Sequence, residues 1–161
     1  MIFGIAKEIK NSETRVGILP DQAKELVGLG NEVLFETGAG ALCGHPDEEY
    51  IAAGVKIVGS MEEIYAKSDV VIGIKELEKR HYALLREGLT IVTCFHSNAH
   101  PDEVDEILKH KITGIAWEDM SDGEGNYPIL KAQSQMAGAG AALMGAYHLS
   151  APGGGKGIML A

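Results

Sequence analysis

A chain of 161 residues, 45% hydrophobic and 23% charged, is long enough to bury a proper core and has the make-up of a globular protein. Its net charge of −9, from 23 acidic and 14 basic residues spread along the chain, argues against nucleic acid and anionic lipid as partners, since both need clustered lysine and arginine. No apolar stretch reaches membrane-spanning length, and MIFGIAKEIK, with charge straight after a very short apolar run, does not read as a signal peptide; Cys43 and Cys94 stand in unrelated contexts, so a reduced, cytoplasmic chain is expected.

Taken in order, short apolar runs alternate with amphipathic segments. The run 2-IFGIA-6 leads into the polar loop 7-KEIKNSETRVGILP-20, which carries Arg15. The planar fork of Arg15 is suited to holding a carboxylate; the plainer reading is a surface arginine paired with Glu8 or Glu13. A helix is predicted over 20-PDQAKELVGLG-30, with Pro and Asp at its start and Gly at its end. The strand 33-VLFE-36 precedes 38-GAGALCG-44, whose third glycine falls one residue late for G-x-G-x-x-G, so a tight loop is expected there rather than a phosphate cradle. Next come a helix over 46-PDEEYIAAG-54, the strand 56-KIVG-59, and a helix over 60-SMEEIYAKS-68 opened by a capping box.

The strand 70-VVIGI-74 ends at Lys75, placed either to bind an anion or to reach past the sheet edge into water. A helical segment over 78-EKRHYALLREG-88 leads to the strand 90-TIVTCF-95, which ends at His96. An imidazole there suits acid–base work, or caps the loop that follows. The helix 101-PDEVDEILKH-110 is expected to put Val104, Ile107 and Leu108 on one face, and the strand 112-ITGIAW-117 runs out at Glu118 and Asp119, one turned inward or both solvated. No histidine or cysteine spacing suggests a metal site.

The runs are continuous rather than alternating, as in strands covered on both faces of a parallel sheet. The β-α rhythm predicts a doubly wound, mostly parallel α/β fold, Rossmann-like or flavodoxin-like. After the loop 119-DMSDGEGNYP-128, the small-residue stretch 131-KAQSQMAGAGAALMGAYHLS-150 predicts a long helix packed on another element or another subunit. In an open α/β sheet, ligands collect at the carboxyl ends of the strands. A guanidinium, an ammonium, an imidazole and a carboxylate, each past the end of a different strand, describe a pocket for a small carboxylate whose neighbouring carbon undergoes proton or hydride chemistry.

The segments GIAKEIKNSETRVGILP, VLFETGAGALCGHPDEEYIAAGVKIV, IGIKE, REGLTIVTCFH and ITGIAWEDM resemble, in order and spacing, the N-terminal part of alanine dehydrogenases, relatives of the nucleotide-binding subunit of proton-translocating transhydrogenase. The resemblance implies NAD-dependent conversion of L-alanine to pyruvate and ammonium. It makes Arg15 the carboxylate-binding arginine, Lys75 the substrate lysine, His96 the catalytic histidine and Glu118 the acidic residue of the site. It makes Ser134, with Gln133 beside it, a contact to the dinucleotide. His96 points to the amino-acid dehydrogenase branch, because the transhydrogenase branch lacks that histidine.

Two departures stand out. Lys131, Ala132 and Gln133 replace the family's Thr-Pro-Met, and Gln135 replaces its Glu. The family's nucleotide-binding domain would follow where this chain stops. The implied organisation is a substrate-side domain over 1–129, an interdomain-type helix over 130–150 and a Gly-rich lead over 151–161 into a nucleotide-binding domain outside this chain. NAD would then be bound mainly by that domain or by a partner carrying it, in a homo-oligomer or a mixed assembly, and the isolated chain is expected to be inactive. The alternatives are a stand-alone carboxylate-binding or assembly module, or part of an opine-type imine-reducing dehydrogenase.

Overall fold

The structure, a computed structural model, describes residues 1–160; the final residue of the 151–161 segment lies outside them. The chain divides into two compact units, Met1–Trp117 and Glu118–Ala161.

The first unit is built on six strands: β1 (Ile2–Ile5), β2 (Glu32–Glu36), β3 (Lys56–Val58), β4 (Val70–Ile72), β5 (Thr90–Thr93) and β6 (Thr113–Ala116). They form one sheet in the order β3-β2-β1-β4-β5-β6, every neighbouring pair parallel. The expected doubly wound α/β fold is therefore what the chain adopts. From β1 the chain winds outward to β3, returns to β4 at β1's other side, and winds outward again to β6. The reversal between β1 and β4 is the switch point, where the loops diverge and leave a crevice. Register pairs Ile5 with Ile72, and Ile72 with Val92, so β1, β4 and β5 end side by side.

Helices α1 (Pro20–Gly28), α2 (Asp47–Ala52), α3 (Met61–Lys67), α4 (Lys79–Tyr82) and α5 (Pro101–Lys109) fill the crossovers. α1 lies against β2, α2 against β3, and α3 against β1 and β2. The predicted N-terminus of α3 forms: the Ser60 hydroxyl accepts the Glu63 N–H at 3.3 Å, while the Glu63 carboxylate takes the N–H of Gly59, one residue before the cap. Met61, Ile64 and Tyr65 of α3 then bury with Leu34, Val71, Ile91, Leu89 and Phe95 in the main core.

Three expectations need correction. The segment 78–88 is helical only over Lys79–Tyr82. Arg86 turns away to donate to the carbonyls of Tyr65 and Ser68 at the end of α3, and Leu85 drops into the core, so tertiary contacts override helix propensity. Leu108 does not join a buried face of α5; it is 69% exposed, because the helix is rotated to bury Glu103, whose carboxylate accepts the Leu77 N–H at 2.5 Å. The outermost strand β6 is largely exposed rather than covered on both faces.

His81, in α4, is buried and accepts the Glu78 N–H on Nδ1 at 2.8 Å. Burial pushes its pKa down from 6.5 to about 4, so it is neutral in the folded chain and titrates normally once unfolded. The unfolded state thus binds more protons between those two values, and stability falls as pH drops through that window. His81→Gln keeps the acceptor and removes the titration. Wild type is expected to lose about 3 kcal/mol more than this variant between pH 7 and pH 4, measured by urea unfolding. Parallel stability–pH curves would contradict this.

In the second unit, Pro128–Leu149 forms the 22-residue helix α6. None of its residues is buried, and Met136, Leu143, Met144 and Tyr147 are each more than half exposed. The long C-terminal helix is as predicted. No helix among the described residues is long and apolar enough to cross a membrane.

Candidate active site

The loop after β1 is held down before it reaches α1. Val16 and Ile18 are buried, and Tyr50, stacked on Phe35, donates its hydroxyl to the Ile18 carbonyl at 2.9 Å. Gly17 passes so close to the end of β4 that a Cβ on it would stand 2.9 Å from the Ile72 carbonyl oxygen. Only glycine allows that approach, and it brings the loop carrying Arg15 across the strand that leads to Lys75.

Lys75 is fixed through its backbone. Gly73, Ile74 and Lys75 continue from β4 without a full strand partner, and side chains supply the missing hydrogen bonds. Glu8 accepts the Ile74 N–H at 2.6 Å, Thr93 of β5 donates its hydroxyl to the Lys75 carbonyl at 2.7 Å, and Trp117 donates its indole N–H to the Gly73 carbonyl at 2.8 Å. A second tie lies one residue on. The carboxylate of Glu76, itself buried, pairs with Lys10 from the β1 loop, and His100 Nε2 from the β5 loop lies 3.6 Å away. The three loops at the switch point are thus cross-linked by polar contacts. Beneath them Glu8, Lys75, Thr93, Tyr65 and His81 line a cavity of about 20 Å³, room for one water molecule.

Arg15 is paired side-on with Glu13: Nε donates to Oε1 at 2.8 Å and Nη2 to Oε2 at 2.7 Å. The plainer reading, a surface arginine paired with Glu13, is therefore what the structure shows: Arg15 is exposed and its acidic partner is Glu13. The Arg15 guanidinium holds the Glu13 carboxyl at about 2, and the charge of Lys75 pulls the same way. Glu13 in turn raises the pKa of Arg15. Burial pushes Glu8 up, against the pull of the Ile74 and Lys75 N–H groups, and it feels both Glu13 and Arg15. Arg15, Lys75, Glu13 and Glu8 therefore share one electrostatic neighbourhood, with Cys94 also acting on Arg15.

His96 follows Cys94 by two residues, at the end of the strand beside β4. It is exposed, with φ of 51°, a left-handed conformation that a bulky side chain adopts at a cost of order 1–3 kcal/mol. The chain turns sharply there and the Ala99 N–H closes the loop on the His96 carbonyl at 2.8 Å. The structure thus puts Arg15 and Lys75 within electrostatic reach of the same Glu13 carboxylate and sets His96 past the end of the adjoining strand. Glu118, in the turn Trp117–Asp119, and Gln133 and Ser134, on α6, belong to the second unit; Ser134 is exposed, Gln133 and Glu118 half-buried.

The loop 38–44 is a tight turn, as expected. Gly38 gives its N–H to Asp47 Oδ1 at 2.8 Å, and Asp47, Glu48 and Glu49 fill the first turn of α2. A pyrophosphate there would meet three carboxylates, so this loop does not fit a dinucleotide. Reading the sequence alone missed Glu8, Thr93 and Trp117 as supports of the Lys75 backbone. Glu8 lies in the same charged stretch as Arg15, but nothing in the sequence says which backbone N–H it takes.

Comparison with known proteins agrees with this architecture. Residues 4–137 match the family model for the alanine dehydrogenase/PNT N-terminal domain. The alanine dehydrogenase of Bacillus subtilis is 41% identical over 162 aligned residues, covering 100% of this chain and 42% of that protein. That of Methanococcus maripaludis is 37% identical, over 99% of this chain and 43% of its own length. The chain thus spans less than half the length of these relatives. A solved L-alanine dehydrogenase superposes with a TM-score of 0.93 at 32% identity, over 98% of this chain and 44% of that one. A transhydrogenase from Sinorhizobium meliloti superposes at 0.71 with 25% identity, over 92% and 42%. The chain belongs to the alanine dehydrogenase/PNT family, as its N-terminal domain.

Proposed function

We propose that this chain forms the substrate side of an NAD-dependent alanine dehydrogenase, which converts L-alanine and water to pyruvate and ammonium. One observation carries the reading. A carboxylate, that of Glu13, already sits in the joint field of Arg15 and Lys75, two cations from different loops at the switch point. A small 2-oxo or 2-amino acid brought to the same cleft finds a guanidinium for its carboxylate and an ammonium for its carbonyl oxygen. Lys75, whose backbone is held by Thr93 beside the Glu8-bound Ile74, reaches from a fixed point of the chain to polarise that carbonyl. His96 takes and returns the proton as the imine forms and is hydrolysed. The family resemblance assigns Glu118 the role of an acidic catalytic residue.

NAD accepts the hydride when bound, and its phosphates are held mainly outside these residues, by a nucleotide-binding domain or a partner that carries one. Ser134 and Gln133 contact its nicotinamide side. The unrelated contexts of Cys43 and Cys94 agree with a cytoplasmic setting, and the exposed apolar side chains of α6 favour a homo-oligomer or such a partner. Calorimetry on the 161-residue polypeptide is expected to show pyruvate binding, and absorbance at the reduced-nicotinamide band is expected to show no alanine-dependent NAD reduction. Failure to bind pyruvate removes the cleft reading; NADH formation by this polypeptide alone overturns the proposed division of labour.

A further inference from the structure

Two cations would suffice to hold a small acid, yet one of them, Arg15, already carries a bound carboxylate, that of Glu13. Glu13 grips Arg15 through the Nε–Nη2 edge, and its Oε1 also accepts the Arg15 backbone N–H at 2.9 Å. The Glu13 side chain is 8% exposed and that of Arg15 46%, so the acid lies beneath and the guanidinium above. A guanidinium offers five N–H groups in a fixed plane, and a side-on pair leaves the Nη1–Nη2 end for a second carboxylate. Lys75 acts on the same Glu13.

The charge sum is equally specific. With Glu13 ionised, Arg15 and Lys75 retain one positive charge between them before Glu8 is counted. One ligand carboxylate neutralises it. A second carboxylate on the same ligand meets the charges of Glu13 and Glu8, both partly withdrawn from water, where like charges repel strongly.

We propose that Glu13 positions Arg15 and sets substrate class: it turns the Nη1–Nη2 end of the guanidinium toward the ligand, and its charge admits 2-oxo monocarboxylates while rejecting dicarboxylates. The inference rests on the reading that Arg15 and Lys75 hold a small acid. It assigns Glu13 a role in discrimination, which is a difference between affinities and calls for a repulsive group as well as an attractive one.

The test compares 2-oxobutyrate with oxaloacetate, which differ by a carboxylate in place of a methyl group, by calorimetry on the full chain. Wild type is expected to favour the monoacid. Glu13→Gln is expected to narrow that preference by about tenfold or more, whereas Glu13→Asp, which keeps the charge, retains it. In parallel, the Arg15 Nε–H resonance, assigned among three arginines with Arg15→Lys, is expected to be protected from solvent exchange in the ligand-free wild type and unprotected in Glu13→Gln.

A preference within twofold of wild type in Glu13→Gln overturns the specificity role. An unprotected Nε–H in wild type overturns the positioning role. If Glu13→Gln does not fold, loss of the preference in Glu13→Asp also overturns the specificity role. If no acid binds the wild type, the carboxylate reading falls, and the arginine resonance still decides whether Glu13 locks Arg15.

Discussion

Arg15→Gln is expected to weaken pyruvate binding by about 10- to 150-fold, the range of one charge-assisted hydrogen-bonding group converted to affinity. Two effects add. The ligand loses the paired donors of the guanidinium end, and a glutamine amide cannot replace a rigid fork. Glu13, whose side chain is 8% exposed, also loses both of its guanidinium contacts and is left as a carboxylate facing an incoming carboxylate. Arg15→Lys keeps the charge but not the fork, so an intermediate loss is expected. Calorimetry with pyruvate on the three proteins gives the order directly. A dissociation constant for Arg15→Gln within twofold of wild type would remove Arg15 from the site.

The largest expected effect on stability lies at Gly4, in the middle of β1. A Cβ there would stand 2.1 Å from Ser68 Oγ and 2.7 Å from Ile64 Cγ2. β1 is the central strand, paired with β2 on one side and β4 on the other, so it cannot shift without disturbing both ladders. Inserting a methyl group into a packed core costs about 1–3 kcal/mol, and Gly4→Val, with three added carbons, is expected to reach or exceed the top of that range. The clash has named partners, so it is partly reversible. Gly4→Ala combined with Ser68→Gly is expected to regain part of what Gly4→Ala loses, a coupling that a double-mutant cycle in urea would measure. Strict additivity of the two single changes would show that Ser68 does not limit the space.

How much of this was legible beforehand depends on the kind of interaction. The strands were readable because each is a continuous apolar run, and covered parallel strands need nothing else. Their ends were readable for the same reason, so Arg15, Lys75 and His96 could be placed past strands before any fold was known. The strand order was not readable from the pattern: nothing in 70-VVIGI-74 says that it returns beside β1, and that single pairing creates the crevice. Leu108 was misplaced because an apolar residue was assumed to outrank an acid for the interior. Glu103 takes the buried side since it has the Leu77 N–H to satisfy. The 78–88 segment was overread as helix because propensity is local, while the Arg86 contacts to the end of α3 are not. Glu13 was visible only as one of two possible surface partners for Arg15. The feature on which its proposed role rests, lying within the fields of both cations, exists only once two loops have met.

The chain contains one tryptophan, and its indole is hydrogen-bonded to the peptide that leads into Lys75. Indole emission responds to the polarity and dipoles around the ring, so the molecule carries its own optical reporter a few bonds from the cleft. Titrations of pyruvate, or of the diacid and monoacid pair, can therefore be followed on the unlabelled protein by intrinsic fluorescence, with no dye to perturb the crevice.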